Sequence, residues 1–215
     1  MSATRPFTTF GRCQLHRTAE ICDGALIGKP FRRLLDGTQE PLAKKTVVGR
    51  QAYIGHNAIV GNGSTISDRA IVDDFCIIES RVVVGRKSLV IYRAQICNEA
   101  LIGDECVIGG FVGERTQVGN RCRIFGQVVH LQHEPHKGWD DEEVSEPAAT
   151  IRDDAFIGFG ALVAGGISIG RNAYVCSRAI VTKDVPTKNI AYGVNQFVPF
   201  FKWKGRLRRS EFFRA

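Results

Sequence analysis

The hydrophobic residues of this chain recur every six positions over its central part. From Val48 onward an aliphatic residue returns at each sixth position without exception, in the series Val48, Ile54, Val60, Ile66, Val72, Ile78, Val84, Val90, Ile96, Ile102 and Ile108. An α-helix repeats every 3.6 residues and a half-buried strand every two, so this period fits neither element. A strict hexad is the sequence signature of a hexapeptide β-helix.

A second pattern lies inside the hexad. The fourth residue after the aliphatic one is usually small, as at Ala52, and glycine often follows the aliphatic residue directly, as at Gly49. If three hexads close one triangular coil, the aliphatic residue fills an interior corner and the small residue fits where the chain bends inward. Glycine and asparagine tolerate the left-handed backbone that such corners require, as at Asn57, Gly63 and Asn172.

The repeat is interrupted at three places. It is lost after Pro30 and returns near Thr46, it slips once near Gly109–Gly113, and it breaks at His130 until Ile151. The sequence therefore predicts a β-helix domain over 1–186, with loops at 31–47 and 130–150. A tail over 187–215 follows.

On these hexads the chain resembles the hexapeptide-repeat acyltransferases, over roughly Val48 to Pro186. The pattern is closest to that of the maltose, galactoside and xenobiotic O-acetyltransferases. The resemblance implies an all-β fold, a left-handed parallel β-helix of hexapeptide repeats with an extended loop and a short C-terminal tail that can be helical. It also implies acetyl-CoA as co-substrate, and a homotrimer with active sites between subunits.

The loop that begins at His130 carries three of the five histidines. Acyl transfer from a thioester needs a base for the attacking hydroxyl or amine, and imidazole titrates near working pH. The family uses a histidine at the head of such a loop, which implies a catalytic base among His130, His133 and His136, in that order of preference.

Structural roles are the alternative for each of these residues. His130 lies six residues after Ile124 and can be an ordinary coil residue, and the other two histidines can be solvated. The loop acids can orient a catalytic ring or simply face water, namely Glu134, Asp140 and Asp141. His56 is expected to be structural.

The last coils resemble the donor half of the family site. The segment 182–186, Thr-Lys-Asp-Val-Pro, is similar to the closing motif at which the family binds coenzyme A. The resemblance implies contacts from Thr182 and from Lys183, whose ammonium group suits phosphate. Ser177 matches a position beside the pantetheine arm, and Phe156 matches an aromatic position before Ile-Gly. The family's Gly-Val-Pro-Ala continuation is absent, since this chain has Tyr-Gly-Val-Asn-Gln at 192–196.

Composition is ordinary for one medium-sized domain, with 215 residues, 44% hydrophobic and 24% charged. The chain shows no apolar leader and no long apolar run, so a cytoplasmic location is predicted. The seven cysteines follow the repeat, with Cys76, Cys106 and Cys122 in the small slot. Packing therefore explains them better than disulfides do.

Much of the net charge of +7 lies in the tail, where aromatic residues alternate with lysine and arginine. Three roles remain open for this tail: a cap on the end of the coil, a basic site for coenzyme phosphates or an anionic acceptor, and a surface for membrane or nucleic acid. Capping is preferred, and no nucleic acid partner is expected.

Two other functions are compatible with a β-helix. In γ-class carbonic anhydrases, which share this fold, histidines bind zinc across a subunit interface, and the three loop histidines could supply ligands. The Arg-x-Asp and Gln-Asp patterns that accompany those ligands are absent, so no metal is expected. A non-catalytic scaffold is the second alternative, and the histidine loop argues against it.

Overall fold

A computed structural model describes residues 6–31, 44–131, 136 and 146–213. In this part of the chain 27 short strands form three sheets, here named A, B and C, which are the three sides of a β-helix. From β1 to β22, each strand pairs in parallel with the strand three places later in the sequence, so successive coils stack directly on one another. The all-β, parallel β-helix fold predicted from the hexads is confirmed.

The strands of each sheet follow one another along the coil axis. Sheet A contains β1 (Thr8–Thr9), β4 (Leu26–Lys29), β7 (Ile59–Gly61), β10 (Ile77–Ile78), β13 (Gln95–Ile96), β16 (Phe111–Val112), β19 (Gln127–Val129), β22 (Leu162–Ala164) and β25 (Ile180–Val181). Sheet B contains β2 (Cys13–Leu15), β5 (Thr46–Val48), β8 (Thr65–Ile66), β11 (Val83–Val84), β14 (Leu101–Ile102), β17 (Gln117–Val118), β20 (Thr150–Ile151) and β23 (Ser168–Ile169). Sheet C contains β3 (Glu20–Ile21), β6 (Tyr53–Ile54), β9 (Ile71–Val72), β12 (Leu89–Val90), β15 (Val107–Ile108), β18 (Arg123–Ile124), β21 (Phe156–Ile157), β24 (Tyr174–Val175), β26 (Asn189–Tyr192) and β27 (Gln196–Pro199).

The core is the column of aliphatic side chains that the hexads place inside the coil. In nearly every two-residue strand the second residue is buried and the first faces outward, as Ile78 and Ile77 show. Most of the small residues at the bends are buried as well, for example Ala58 and Ala100. Each coil therefore buries its apolar surface against the coils on either side of it.

The corners are left-handed as predicted, but their composition is different. Asn57, Gly63 and Asn172 have positive φ angles of 54°, 69° and 52°. Most other corner residues with positive φ are long and charged, such as Arg69 and Lys87. Their backbone N–H groups donate to carbonyl oxygens of the preceding coil, so the stacked coils enforce a conformation that these residues seldom adopt alone.

The hexad register slips twice, whereas the sequence pattern predicts one slip. At the corner between sheets C and A, the coil usually has four residues between strands, but only Gly109–Gly110 and then Phe125–Gly126 at two successive levels. As a result, Gln95 pairs with Phe111, and Phe111 with Gln127. The interior residue after Ile124 is Val128, so His130 lies beyond the strand and is not a hexad residue.

The C-terminal segment extends the coil and then folds back. Strand β26 continues sheet C past residue 186, and β27 pairs with it antiparallel. Three short 3-10 helices follow, at Phe200–Lys202, Arg206–Arg209 and Glu211–Phe213. Phe197 packs against the core at this end, which supports the capping role. None of the helical segments in the described chain has the length and hydrophobicity to cross a bilayer.

All seven cysteines are free thiols, and four of them are buried, namely Cys76, Cys97, Cys106 and Cys122. Burial raises the pKa of the Cys76 thiol to about 11. The Sγ atom of Cys76 lies 3.1 Å from the carbonyl oxygen of Ile91, as expected for a small residue packed at a bend. The packing role predicted for these cysteines is consistent with this placement.

The stacked core gives a direct stability prediction. Ile78→Ala removes a fully buried side chain and should lower the free energy of unfolding by about 2–5 kcal/mol. Ile71→Ala is the matched control, because the same atoms are removed from a side chain that is 41% exposed. Denaturant titration followed by circular dichroism measures both variants, and equal losses would contradict the described core.

The short corners give a second prediction. A Cβ atom at Gly110 would collide with the carbonyl oxygen of Gly126, which is backbone and cannot move aside alone. We expect Gly110→Ala to cost about 1–3 kcal/mol. At Gly160, an added Cβ meets only Arg178 Cγ, at 3.7 Å, so Gly160→Ala carries the φ strain without the collision. A smaller loss for Gly110→Ala than for Gly160→Ala, in the same denaturant titration, would refute the close stacking of the two short corners.

Candidate active site

His130 follows strand β19 directly, at the corner where the chain leaves sheet A. Its Nε2 atom lies 2.7 Å from Oε2 of Glu146, which is the first described residue on the far side of the loop. The side chains of His130 and Glu146 are 26% and 16% exposed. The two residues that bracket the loop therefore form a partly buried imidazole–carboxylate pair.

Neighbouring groups fix the position of Glu146. Arg115 on the preceding coil donates a hydrogen bond of 2.9 Å to the Glu146 carbonyl oxygen. The N–H of Leu131 donates to the carbonyl oxygen of Pro147, so the two sides of the loop are joined at its base. Val112 of β16 pairs with Val128 of β19 in parallel. Two residues further along each chain segment, Glu114 therefore aligns with His130 on the coil below it.

The second ring nitrogen of His130, Nδ1, does not contact a carboxylate among the described residues. Nδ1 is enclosed and has no hydrogen-bond partner among the residues that the structure describes. If Nε2–H donates this hydrogen bond to Glu146, Nδ1 carries the lone pair. A substrate must then open the enclosed side of the ring to give its proton to Nδ1. This arrangement suits a general base whose tautomer is set by a carboxylate.

The other two histidine candidates are less informative. His136 is exposed and His133 lies outside the described residues. Three acids considered as orienting groups, Glu134, Asp140 and Asp141, also lie outside them. Glu146 was not identified from the sequence. It could have been found by reasoning that both ends of a loop inserted into a closed coil must meet at one corner.

Thr182 and Lys183 lie at the same corner as His130. Val129 pairs with Ala164, and Val163 pairs with Val181, so Thr182 follows in register two coils above the end of β19. Thr182 Oγ1 accepts a hydrogen bond of 2.8 Å from Asn195 Nδ2, and Thr182 N–H donates to Asn195 Oδ1. Lys183 is exposed.

Ser177 and Phe156 lie elsewhere on the coil. Ser177 is exposed at the corner between sheets C and A. Phe156 stands on the outer face of sheet C and stacks on Tyr174, with ring centroids 4.5 Å apart. Phe212 of the tail contacts both rings edge-on, and burial raises the pKa of Tyr174. Within one chain, the four residues predicted to bind the cofactor therefore do not meet.

A basic cavity of about 650 Å³ lies beside this aromatic cluster. Its lining includes Arg121, Arg123, Arg171, Lys188 and Phe212, and one acid, Asp154. Arg121 holds that carboxylate through two hydrogen bonds of 2.6 and 2.9 Å, which keep the pKa of Asp154 below its usual value. The remaining positive charge favours an anionic ligand.

No group of three or more histidine, cysteine or acidic side chains is arranged to hold a metal ion within the described ranges.

Comparison with known proteins relates part of the chain to acetyltransferases. No family model matches the sequence. The serine acetyltransferase of Bacillus licheniformis is 35% identical over 83 residues, and that of Bacillus subtilis is 32% identical over 83 residues. Each match covers 39% of this chain and 35% of the relative, so the chain spans about a third of the length of these relatives.

Among solved structures, a UDP-N-acetylglucosamine acyltransferase from Francisella novicida is similar with a TM-score of 0.42 and 19% identity, over 89% of this chain and 69% of that one. The resemblance predicted from the hexads is confirmed by the sequence matches to the serine acetyltransferases. The chain is a parallel β-helix built from hexapeptide repeats, and 83 of its residues are similar in sequence to serine acetyltransferases.

Proposed function

We propose that this protein is an acyl-CoA-dependent acyltransferase that transfers an acetyl group from acetyl-CoA to a small hydroxylated or amino acceptor. The observation that carries the proposal is the 2.7 Å contact between His130 Nε2 and Glu146 Oε2 at the mouth of the loop. The corner that holds this pair also holds Thr182 and Lys183, which match the donor motif. The similarity to serine acetyltransferases supports the same reaction class.

His130 acts as the general base in this proposal. Nε2–H donates a hydrogen bond to Glu146, which orients the ring, and Nδ1 keeps the lone pair. The acceptor opens the enclosed side of the ring, and Nδ1 takes the proton of its attacking hydroxyl or amine. The acceptor oxygen or nitrogen then attacks the thioester carbon, and the coenzyme A thiolate leaves. The thiolate then takes up the transferred proton from the imidazolium. Because the acceptor attacks the thioester directly, no acyl-enzyme forms. His133 and His136 stay as the second and third candidates for the base.

The donor is held at the same corner in this proposal. Lys183 contributes a cation for the phosphates of coenzyme A, and Thr182 lies beside it in a hydrogen-bonded turn with Asn195. Ser177 and Phe156 lie at other positions on the coil, so a donor that uses all four predicted contacts needs more than one subunit. We therefore propose the homotrimer implied by the resemblance, with sites between subunits, and a cytoplasmic location.

Loss of the base should abolish most of the activity. We expect His130→Ala to lower kcat about 10²- to 10⁴-fold in a thiol-release assay with acetyl-CoA and a panel of sugars, amino sugars and other small alcohols and amines. Glu146→Gln should give a smaller loss, because the ring remains but its orientation is weakened. Added imidazole should partly restore His130→Ala if the lost group is a base.

His56→Ala is the matched control, since it removes an exposed histidine from another corner of the coil. Thermal unfolding and calorimetric binding of acetyl-CoA should be the same for all three variants and the wild type. Full activity in His130→Ala would exclude His130, and His133→Ala and His136→Ala then test the remaining candidates. If acetyl-CoA does not bind and no acceptor is turned over, the scaffold alternative replaces this proposal.

The subunit arrangement has its own measurement. Sedimentation equilibrium should give a mass three times that of one chain if the donor contacts come from neighbouring subunits. A monomeric mass for protein that is fully active in the thiol-release assay would contradict shared sites.

A further inference from the structure

The two short corners leave a recess in the side of the coil. The corner below the recess has four residues, including Tyr92 and Arg93, and the corner above it has four, including Phe159 and Gly160. The two corners between them have only two residues each, and each pair contains glycine. Coils are spaced about 4.8 Å apart, so the two missing corner levels leave a recess about 10 Å long along the axis. The cavity there measures about 340 Å³, within the usual size range of small-molecule sites.

Backbone hydrogen bonds are interrupted where the corners are missing. Along this corner, Phe75 N–H donates to the His56 carbonyl and Arg93 N–H to the Asp74 carbonyl, and the pattern resumes above at Arg178 N–H and the Phe159 carbonyl. Between them, the Tyr92 carbonyl and the Gly160 N–H have no partner among the described residues. The recess therefore has an unpaired hydrogen-bond acceptor, the Tyr92 carbonyl, on its lower side and an unpaired donor, the Gly160 N–H, on its upper side, among the described residues.

The side chains around the recess combine apolar and polar surface. Phe111 and Phe125 line it, Phe159 stands at its rim with 75% of its surface exposed, and the exposed amide of Gln127 faces the same space. Arg93 adds a positive charge, which contacts the Tyr92 ring at 5.1 Å and has no ion pair with a described residue. Aromatic rings beside amide and backbone hydrogen-bonding groups suit a sugar ring, which has an apolar face and a rim of hydroxyl groups.

The recess is also close to the imidazole–carboxylate pair. Gln127 begins β19, and His130 follows the end of the same strand. Three residues of extended chain span about 10 Å, so the recess and His130 lie at opposite ends of one short strand of sheet A. A ligand seated in the recess and lying across that strand can bring a hydroxyl group towards His130.

We infer that this recess is the acceptor site, and that it binds a saccharide bearing a carboxylate, with the sugar ring against Phe159 and the carboxylate at Arg93. The identification as an acceptor site rests on the proposed acyltransferase function. The binding of the sugar does not depend on that function, because residues of this chain line the recess without coenzyme A.

The test measures sugar binding directly, without acetyl-CoA. Saturation-transfer NMR titrations compare glucuronate, galacturonate and mannuronate with glucose, galactose and mannose. At least one uronate should bind, and its neutral counterpart should bind more weakly. Phe159→Ala should weaken binding of that uronate about 5-fold, because the ring contact is lost. Arg93→Gln should weaken the uronate about 10-fold while the neutral sugar changes little, because only the charge contact is lost.

Phe201→Ala is the control, since Phe201 is a similarly exposed aromatic residue, at 72%, in the tail. It should leave every affinity unchanged. Absence of binding by all six sugars, or binding that neither recess variant alters, overturns the inference. A change in sedimentation mass on Phe159→Ala without a change in sugar affinity also overturns it, since the recess would then be a contact between subunits.

The two proposals can fail separately. In the acetyl-transfer assay, Phe159→Ala and Arg93→Gln should raise KM for the bound uronate and leave KM for acetyl-CoA unchanged. His130→Ala should retain sugar binding and lose turnover. Sugar binding without any acetyl transfer would refute the proposed acyltransferase function and the role of the recess as an acceptor site. The recess would still be a sugar-binding site. Transfer with unchanged acceptor KM in both recess variants would refute the recess as the acceptor site.

Discussion

The stacking of one coil on the next is the constraint on which the rest of this structure depends. Each strand is only two to four residues long and has no stability by itself. Its backbone groups find partners only in the strands directly above and below, and its single inward aliphatic side chain is buried only by theirs. The left-handed corners are part of the same constraint, because their N–H groups also donate between coils. A local change is therefore transmitted along the axis and not across the molecule.

This constraint explains why the departures from the repeat are where chemistry can be placed. A regular coil presents strands and corners with most of their hydrogen bonds already made. Where the loop is inserted after β19, the coil must close again at the same corner, and this brings Glu146 to His130. Where two corners are shortened, the ladder of corner hydrogen bonds is interrupted, and the Tyr92 carbonyl and Gly160 N–H are left facing a recess. Both irregularities border the same strand.

The tail shows how an aromatic and basic segment can serve two purposes. Phe197 covers part of the end of the coil, where the last apolar residues would otherwise face water. Further along, Phe212 packs on Phe156 and Tyr174 and borders the basic cavity. The aromatic residues therefore attach the tail to sheet C, and Arg121, Arg123 and Arg171 on the coil supply charge beside it. The coil itself therefore supplies much of the local positive charge there.

The sequence by itself determined the fold, because a hexad of aliphatic and small residues can be buried only by a coil with three short sides. It also located the break at His130 and the packing role of the cysteines. Only the tertiary structure decided which residues meet across coils. Glu146 contacts His130 through closure of the loop, and the second slip, at Phe125–Gly126, moves Val128 into the core and His130 out of the repeat. These relations depend on register between coils, which a single sequence does not specify once the count of six is broken.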